Sequence, residues 1–131
     1  GKRGHVDVYG SDYDTPDGTG IRDFIHVSDL TLAHKLALRR LRSGGGNLVA
    51  NCGYGHGYSV QEVIASAKKL TGSDFRVNFA PRRPGDLASV IANAGRARKE
   101  LAWTPKFDAL DDIIETSLAW EESLTRKNSA A

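Results

Sequence analysis

At 131 residues the chain has the size of one domain and can bury a core without disulfides. Its 18 Lys and Arg against 16 Asp and Glu leave a formal charge of +2, too small to argue for a nucleic-acid partner. The lone Cys52 excludes an intrachain disulfide, and no apolar run approaches the ~20 residues that span a bilayer, so a cytoplasmic chain with no membrane partner is expected.

The start, Gly1-Lys2-Arg3-Gly4-His5, leads into no signal-like hydrophobic region and reads as an internal start within a longer chain. Val6 and Val8 alternate with polar neighbours and predict a strand over residues 5–9. Residues 10–20 are rich in Asp, Ser, Thr, Pro and Gly and predict a loop, with Pro16-Asp17-Gly18 as its turn. Gly18 and Gly20 then let the chain turn tightly before Arg22, after which Phe24, Ile25 and Val27 are expected to bury. Arg22 is thereby a charged fork at the edge of a packed core. It suits a carboxylate or a phosphate gripped by two parallel hydrogen bonds, although by chemistry alone a structural pair with Asp23 or Asp29 is the more ordinary role.

Ser28 is a suitable cap for a helix reaching about Arg42, with Asp29 complementing its positive end. Leu30, Ala33, Ala37 and Leu41 form its stripe, widened by Leu32, Leu36 and Leu38. Arg39, Arg40 and Arg42 form a solvated face, with no aromatic residues interleaved for base stacking. Gly44-Gly45-Gly46 ends the helix, and the apolar run 47–52 predicts a buried strand that includes Cys52. The glycines at 53, 55 and 57 imitate a dinucleotide fingerprint, but Tyr58 stands where the third glycine belongs, so a sharp turn is expected there.

Ser59 and Glu62 form a capping box for a helix striped by Val60, Val63, Ile64, Ala67 and Leu70, ending near Thr71-Gly72. Strands follow at 75–80 and 89–92, separated by the loop Pro81-Arg82-Arg83-Pro84-Gly85-Asp86. Asn93 is placed as the cap of a short helix through Leu101. Asp108 opens the last helix, with Leu110, Ile113, Ile114, Ser117 and Leu124 inward and a fraying tail from Arg126. His26 is expected in a structural hydrogen bond. His5, His34 and His56 form no ligand-spaced cluster with each other or Cys52, so no metal is expected.

Arg22 and Arg83 lie on separate loops pinned by Gly and Pro, a natural clamp for a diphosphate, with Asp86 able to accept from ribose hydroxyls. A surface loop with a local ion pair among Arg82, Arg83 and Asp86 is the alternative reading. The run from Tyr9 to Val27, with Gly18-Thr19-Gly20-Ile21-Arg22-Asp23-Phe24-Ile25-His26-Val27 at its centre, resembles the signature of UDP-glucose 4-epimerases, which are extended short-chain dehydrogenase/reductases. The resemblance continues through Pro81-Arg82-Arg83-Pro84-Gly85-Asp86-Leu87 and Glu100-Leu101-Ala102-Trp103. It covers nearly the whole chain but only the C-terminal portion of such an enzyme.

The resemblance implies an α/β fold: a C-terminal substrate-binding portion with a small mixed sheet and flanking helices. It implies that residues 28–58 pack on an N-terminal Rossmann sheet that also holds NAD. It assigns Arg22 and Arg83 to the UDP diphosphate, Asp86 to the nucleoside, and the strand Asp7-Val8-Tyr9 to the uracil. It places Val90 where family members carry a residue facing the sugar, large in some and small in others; a small side chain there would leave room for an N-acetyl group. Phe24 departs from the tyrosine frequent at that position. The implied activity is interconversion of UDP-glucose and UDP-galactose through a 4-keto intermediate using NAD. Other openings are a UDP-N-acetylglucosamine or UDP-pentose 4-epimerase, or a non-catalytic UDP-sugar-binding module. No tyrosine in the chain is followed four residues later by lysine, so no catalytic Tyr-x-x-x-Lys pair is present. The chain is therefore expected to bind a UDP-sugar without turning it over. Lacking the N-terminal sheet, it is also expected to expose an apolar helix face and to form a homo-oligomer or swap elements.

Overall fold

The structure, a computed structural model, describes residues 3–129, so the first two positions of the expected internal start and the last two of the expected fraying tail lie outside the described residues. The strands form two small sheets. β1 (His5–Tyr9) pairs in parallel with β4 (Arg76–Ala80), with Tyr9 opposite Ala80. β2 (Ile21–Arg22) lies between β3 (Tyr58–Ser59), antiparallel to it, and β5 (Ser89–Val90), parallel to it. β2 and β3 are too short for hydrophobic alternation to announce them. Of the two valines on β1, Val8 is buried and Val6 is exposed.

α1 (Val27–Arg42) begins one residue before the predicted cap, because His26 takes that role: its Nδ1 accepts the Ser28 amide at 3.0 Å. His26 Nε2 meets Thr116 Oγ1 at 2.9 Å, and the ring stacks on Phe107. Val27, expected to bury, is instead exposed at the first helical position. The helix lays Ala33 against Ala94, Ala97 and Trp103, flanked by Ile25, Leu32, Leu36, Ala50, Cys52 and Leu101. Leu38 and Leu41 of the predicted stripe stay exposed.

The segment 47–52 corrects a second expectation. It is not a strand: no described strand pairs with it, and Val49 is 82% exposed. An apolar run supplies the side chains of a buried strand, but a ladder needs a neighbour to receive its backbone groups. Cys52 is half-buried rather than buried, and desolvation pushes its thiol above the ordinary value, which favours the inert neutral form.

α2 (Val60–Thr71) carries the predicted capping box, with Ser59 Oγ accepting the Glu62 amide and Glu62 Oε2 accepting the Ser59 amide, and it ends on Gly72 in the left-handed region. β5 stops two residues short of the expected 92. α3 (Gly95–Leu101) follows Ala94 rather than Asn93, though Asn93 Oδ1 accepts the Gly95 amide at 3.0 Å. α4 (Leu110–Ser129) starts after Asp108 and enters the stretch expected to fray from Arg126, as far as Ser129. It packs on α2, where Ser66 Oγ and Lys69 Nζ both reach Asp111. Ser117 is exposed rather than inward, its hydroxyl donating to Ile113 O at 2.7 Å on its own helix. Among the described residues no helix is long and apolar enough to cross a membrane.

Asp29 does far more than complement a helix dipole. Its carboxylate is 2% exposed and accepts from the Lys106 amide at 3.0 Å, the Phe107 amide at 2.8 Å and the Tyr54 hydroxyl at 2.8 Å. Its backbone oxygen accepts the indole N–H of the buried Trp103 at 2.9 Å. A buried donor left without its acceptor costs about 1–3 kcal/mol. Asp29→Ala is therefore expected to destabilise the fold by about 3–5 kcal/mol, read as a lower urea midpoint at unchanged slope.

Burial, reinforced by the neighbouring Asp29, pushes the Tyr54 phenol from 10.0 up to about 12. The unfolded chain then releases this proton before the folded one does. Stability supplied by the neutral phenol is intact below pH ~10 and declines as pH rises toward ~12. Wild type is expected to lose roughly 2 kcal/mol across that window, and Tyr54→Phe to lack this component, in urea unfolding at stepped pH.

Candidate functional site

The loop between β1 and β2 is held by Asp17. Its Oδ1 accepts the Thr19 amide at 2.8 Å and hydroxyl at 2.7 Å, its Oδ2 accepts the Ser59 hydroxyl, and its carbonyl accepts Gln61 Nε2 at 2.7 Å. Burial alone would raise this carboxyl, but the hydrogen bonds from Ser59 and Thr19 outweigh it and hold Asp17 below the ordinary value. Thr19, which is fully buried, also binds the Gln61 amide through Oγ1. The loop that precedes Arg22 is thus fastened to the start of α2.

Arg22 does not make the structural pair that sequence chemistry left open. Its Nη1 donates to Ile21 O at 2.7 Å, and no described carboxylate lies within 4.0 Å of it. Asp23 is occupied elsewhere, accepting the amides of Tyr54, Gly55 and Ala92. Asp29 is occupied by the contacts described above. Gly20 leaves room beside this guanidinium: a Cβ there would stand 3.1 Å from Arg22 Nη1, a tight contact.

The same Asp23 bonds decide the glycine-rich turn at 53–58. The amides of Tyr54 and Gly55 point at a carboxylate of this chain, at 2.9 and 3.1 Å. A cradle for a cofactor's phosphates needs those amides free. The described residues therefore do not fit a dinucleotide at this turn, in agreement with the Tyr58 departure.

Arg83-Pro84-Gly85-Asp86 forms a tight turn: the Asp86 amide donates to Arg83 O at 3.2 Å, and Gly85 has φ of +84°. Proline second and a positive-φ glycine third are the residues of a type II turn. The turn brings its two ends together, with Arg83 Nε donating to Asp86 Oδ2 at 2.9 Å. The local ion pair is thus real, yet it uses only Nε; Arg83 Nη1 and Nη2 donate to no described group. Arg82 differs. It gives Nε to Asp12 Oδ1 at 2.7 Å and Nη2 to Asp12 O, and it covers the Tyr13 ring at 4.2 Å. Arg82 ties two loops together, whereas Arg83 keeps a donor edge in reserve.

β1 ends beside this turn. Asp7 is engaged by Asn78 Nδ2 at 3.3 Å and His5 Nε2 at 3.4 Å, Val8 faces the core, and Tyr9 is 44% exposed. Val8 could therefore offer a ligand only its backbone. With β4 on one side, β1 keeps its other edge unpaired among the described strands. Val90 stands opposite Arg22 across the β2–β5 pair and is 47% exposed. Both line an open groove of about 850 Å³ whose walls are mostly apolar, including Ile25, Leu30, Ala37 and Leu48. Two groups of predicted residues are thus assembled: Arg22 with Val90, and Tyr9 with Arg83 and Asp86. Asp17, Asp23, Asp29 and Tyr54 position them; the sequence offered Asp17 only as a turn residue and Asp23 and Asp29 only as possible partners of Arg22 or of a helix end, not as collectors of backbone and hydroxyl donors. Only the capping box at Ser59 hinted at one of their partners. No group of three His, Cys, Asp or Glu among the described residues could hold a metal ion.

No family model matches the chain. Among curated proteins it is 53% identical over 124 residues to the UDP-glucose 4-epimerase of Azospirillum brasilense, covering 95% of this chain and 36% of that protein. It is 46% identical over 121 residues to the enzyme of the same name from Bifidobacterium longum, covering 92% of this chain and 35% of that one. Among solved structures, the UDP-Glc/GlcNAc 4-epimerase of Campylobacter jejuni superposes with a TM-score of 0.82 at 48% identity, over 93% of this chain and 37% of that one. The Bifidobacterium longum enzyme in complex with NAD+ and UDP superposes with a TM-score of 0.85 at 46% identity, over 94% of this chain and 36% of that one. The chain matches the C-terminal portion of UDP-glucose 4-epimerases and spans a little over a third of the length of these relatives.

Proposed function

We propose that the chain is the UDP-sugar-binding portion of a UDP-glucose 4-epimerase, an isomerase interconverting UDP-glucose and UDP-galactose, and that it is inactive by itself. The observation that carries this reading is the pair of arginines with free donor edges, Arg22 and Arg83, on a chain that matches such epimerases at 53% identity. Two guanidinium forks complement a diphosphate. In this reading Asp86 accepts from the ribose through the oxygen not given to Arg83. The free edge of β1 along Asp7, Val8 and Tyr9 pairs with the uracil through backbone groups.

The division of labour has a physical logic. An epimerase must hold the nucleotide while the hexose turns over, so binding energy belongs on the part of the substrate that does not react. NAD supplies the redox chemistry in such an enzyme, and nothing in this chain is assigned to hold it. Residues 28–58 are read as packing on the nucleotide-binding portion. The exposed Leu38, Leu41 and Val49 support that packing, and the same face could take a second copy of the chain. The expected setting is the cytoplasm.

Titration calorimetry tests the clamp. UDP is expected to bind the chain, with Arg22→Ala and Arg83→Ala each weakening it at least ~10-fold, as loss of a charge-assisted hydrogen bond implies. Unchanged affinity in both variants would refute the clamp.

One observation favours a wider substrate range. Val90 is small, half-exposed and beside Arg22 in the groove, and the Campylobacter jejuni relative is a UDP-Glc/GlcNAc 4-epimerase. In the complete enzyme, Val90→Tyr is expected to reduce kcat/KM for UDP-N-acetylhexosamines about 10-fold or more while sparing UDP-glucose, since a clash with the N-acetyl group falls on one substrate alone. Equal losses on both would argue against this pocket.

A further inference from the structure

Arg22 sits on the middle strand of a sheet whose three strands are two residues each. Tyr58 of β3 lies opposite it on one side and Val90 of β5 on the other. Strands this short make too few ladder bonds to hold three segments in register. Asp23 braces them. Its Oδ1 accepts the Tyr54 amide at 2.9 Å and its Oδ2 the Gly55 amide at 3.1 Å, which ties in the turn leading to β3. Oδ2 also accepts the Ala92 amide at 3.2 Å, and the Asp23 amide donates to Val90 O at 3.2 Å, which ties in the exit of β5. Glycines let the turn come this close: a Cβ on Gly53 would stand 2.5 Å from Asp23 Oδ2, and one on Gly57 3.0 Å from Arg22 O.

We infer that Asp23 is the positioning residue of Arg22: an internal anion, seated on the amides of Tyr54, Gly55 and Ala92, that fixes both flanks of the arginine and so aims its guanidinium into the groove. The inference rests on the reading of Arg22 as a diphosphate ligand. Arg22, Asp23, Val90 and Ala92 line the same groove. No cation among the described residues lies within 4.0 Å of the Asp23 carboxylate, so its charge is met by the three amide dipoles. An acid next to an arginine has a second destination, the guanidinium itself. Amides left without an acceptor are costly, and that cost keeps the carboxylate off Arg22.

Titration calorimetry with UDP and with uridine, which lacks the phosphates, tests this in Asp23→Ala and Asp23→Asn. A misaimed Arg22 affects the phosphates alone. Asp23→Ala is expected to weaken UDP about tenfold or more and to leave uridine within about twofold. Formate, which replaces the missing carboxylate, is expected to recover most of the UDP loss in Asp23→Ala, judged against wild type in the same formate. It is expected to recover nothing in Asp23→Asn, whose side chain fills the seat. Equal losses for the two ligands, no loss for UDP, or formate recovery that is absent from Asp23→Ala or equal in Asp23→Asn overturns the inference. If Asp23→Ala does not fold, Asp23→Asn decides: a loss confined to UDP supports the inference, and equal losses or none refute it. If wild type does not measurably bind one of the two ligands, the Arg22 Nε–H resonance of the isotopically labelled chain decides. It is expected to be sharp in wild type, to broaden in Asp23→Ala and to sharpen again with formate; a resonance unchanged in Asp23→Ala refutes the inference. Wild type that binds neither ligand also means that the proposed function of the isolated chain fails, separately from the role of Asp23.

Discussion

A buried carboxylate holds this structure together. Asp29 sits in the first turn of α1 yet is almost fully covered, and four donors converge on its two carboxylate oxygens and its carbonyl. They come from Tyr54, from Trp103 and from the backbone at 106–107, so one residue links the first helix to the glycine-rich turn and to the approach of the last helix. A buried charge is costly unless its lone pairs are satisfied, and this one is satisfied mainly by amides that have no helix or sheet partner. The arrangement explains why an irregular segment such as 102–109 can lie against the core: Asp29 receives the amides that a strand would otherwise pair.

A second carboxylate repeats the device at the site. Asp23 gathers the amides of Tyr54, Gly55 and Ala92, fixing the turn after residue 52 and the end of β5 around the residue next to Arg22. Asp17 does the same for the loop before β2. Each of these acids is spent on backbone or hydroxyl donors, and none is left to neutralise Arg22. Placing the acids elsewhere leaves the arginine free, which is the electrostatic condition for an anion site. The Arg83 turn reaches a similar end differently, consuming one nitrogen of the guanidinium and leaving two.

Much of this was legible in the chain. The capping box at Ser59 and Glu62, the strands near β1 and β4, and the turn at Pro84-Gly85 follow from local chemistry that operates within a few residues. The errors share a cause. The run 47–52 has the side chains of a strand, but pairing depends on what lies beside it. Val27 belongs to the same apolar run as Phe24 and Ile25, but α1 begins at Val27 and turns its side chain out. His26 displaced Ser28 as the cap because an imidazole nitrogen can accept the same amide.

The sequence by itself determined the α/β class, the order of the main helices and strands, and the likeness carried by Arg22, Arg83 and Asp86, because propensity, capping and motif spacing act over short stretches. Only the tertiary structure decided which arginine is committed and which is free. Arg82 and Arg83 are adjacent and chemically identical. What separates them is that Asp12 reaches the first on two donors and Asp86 reaches the second on one, with Tyr13 and Tyr9 beneath them. Asp12 and Tyr13, and Tyr9 beneath Arg83, are some seventy residues away in the chain, and such partners are assigned by packing rather than by any local pattern.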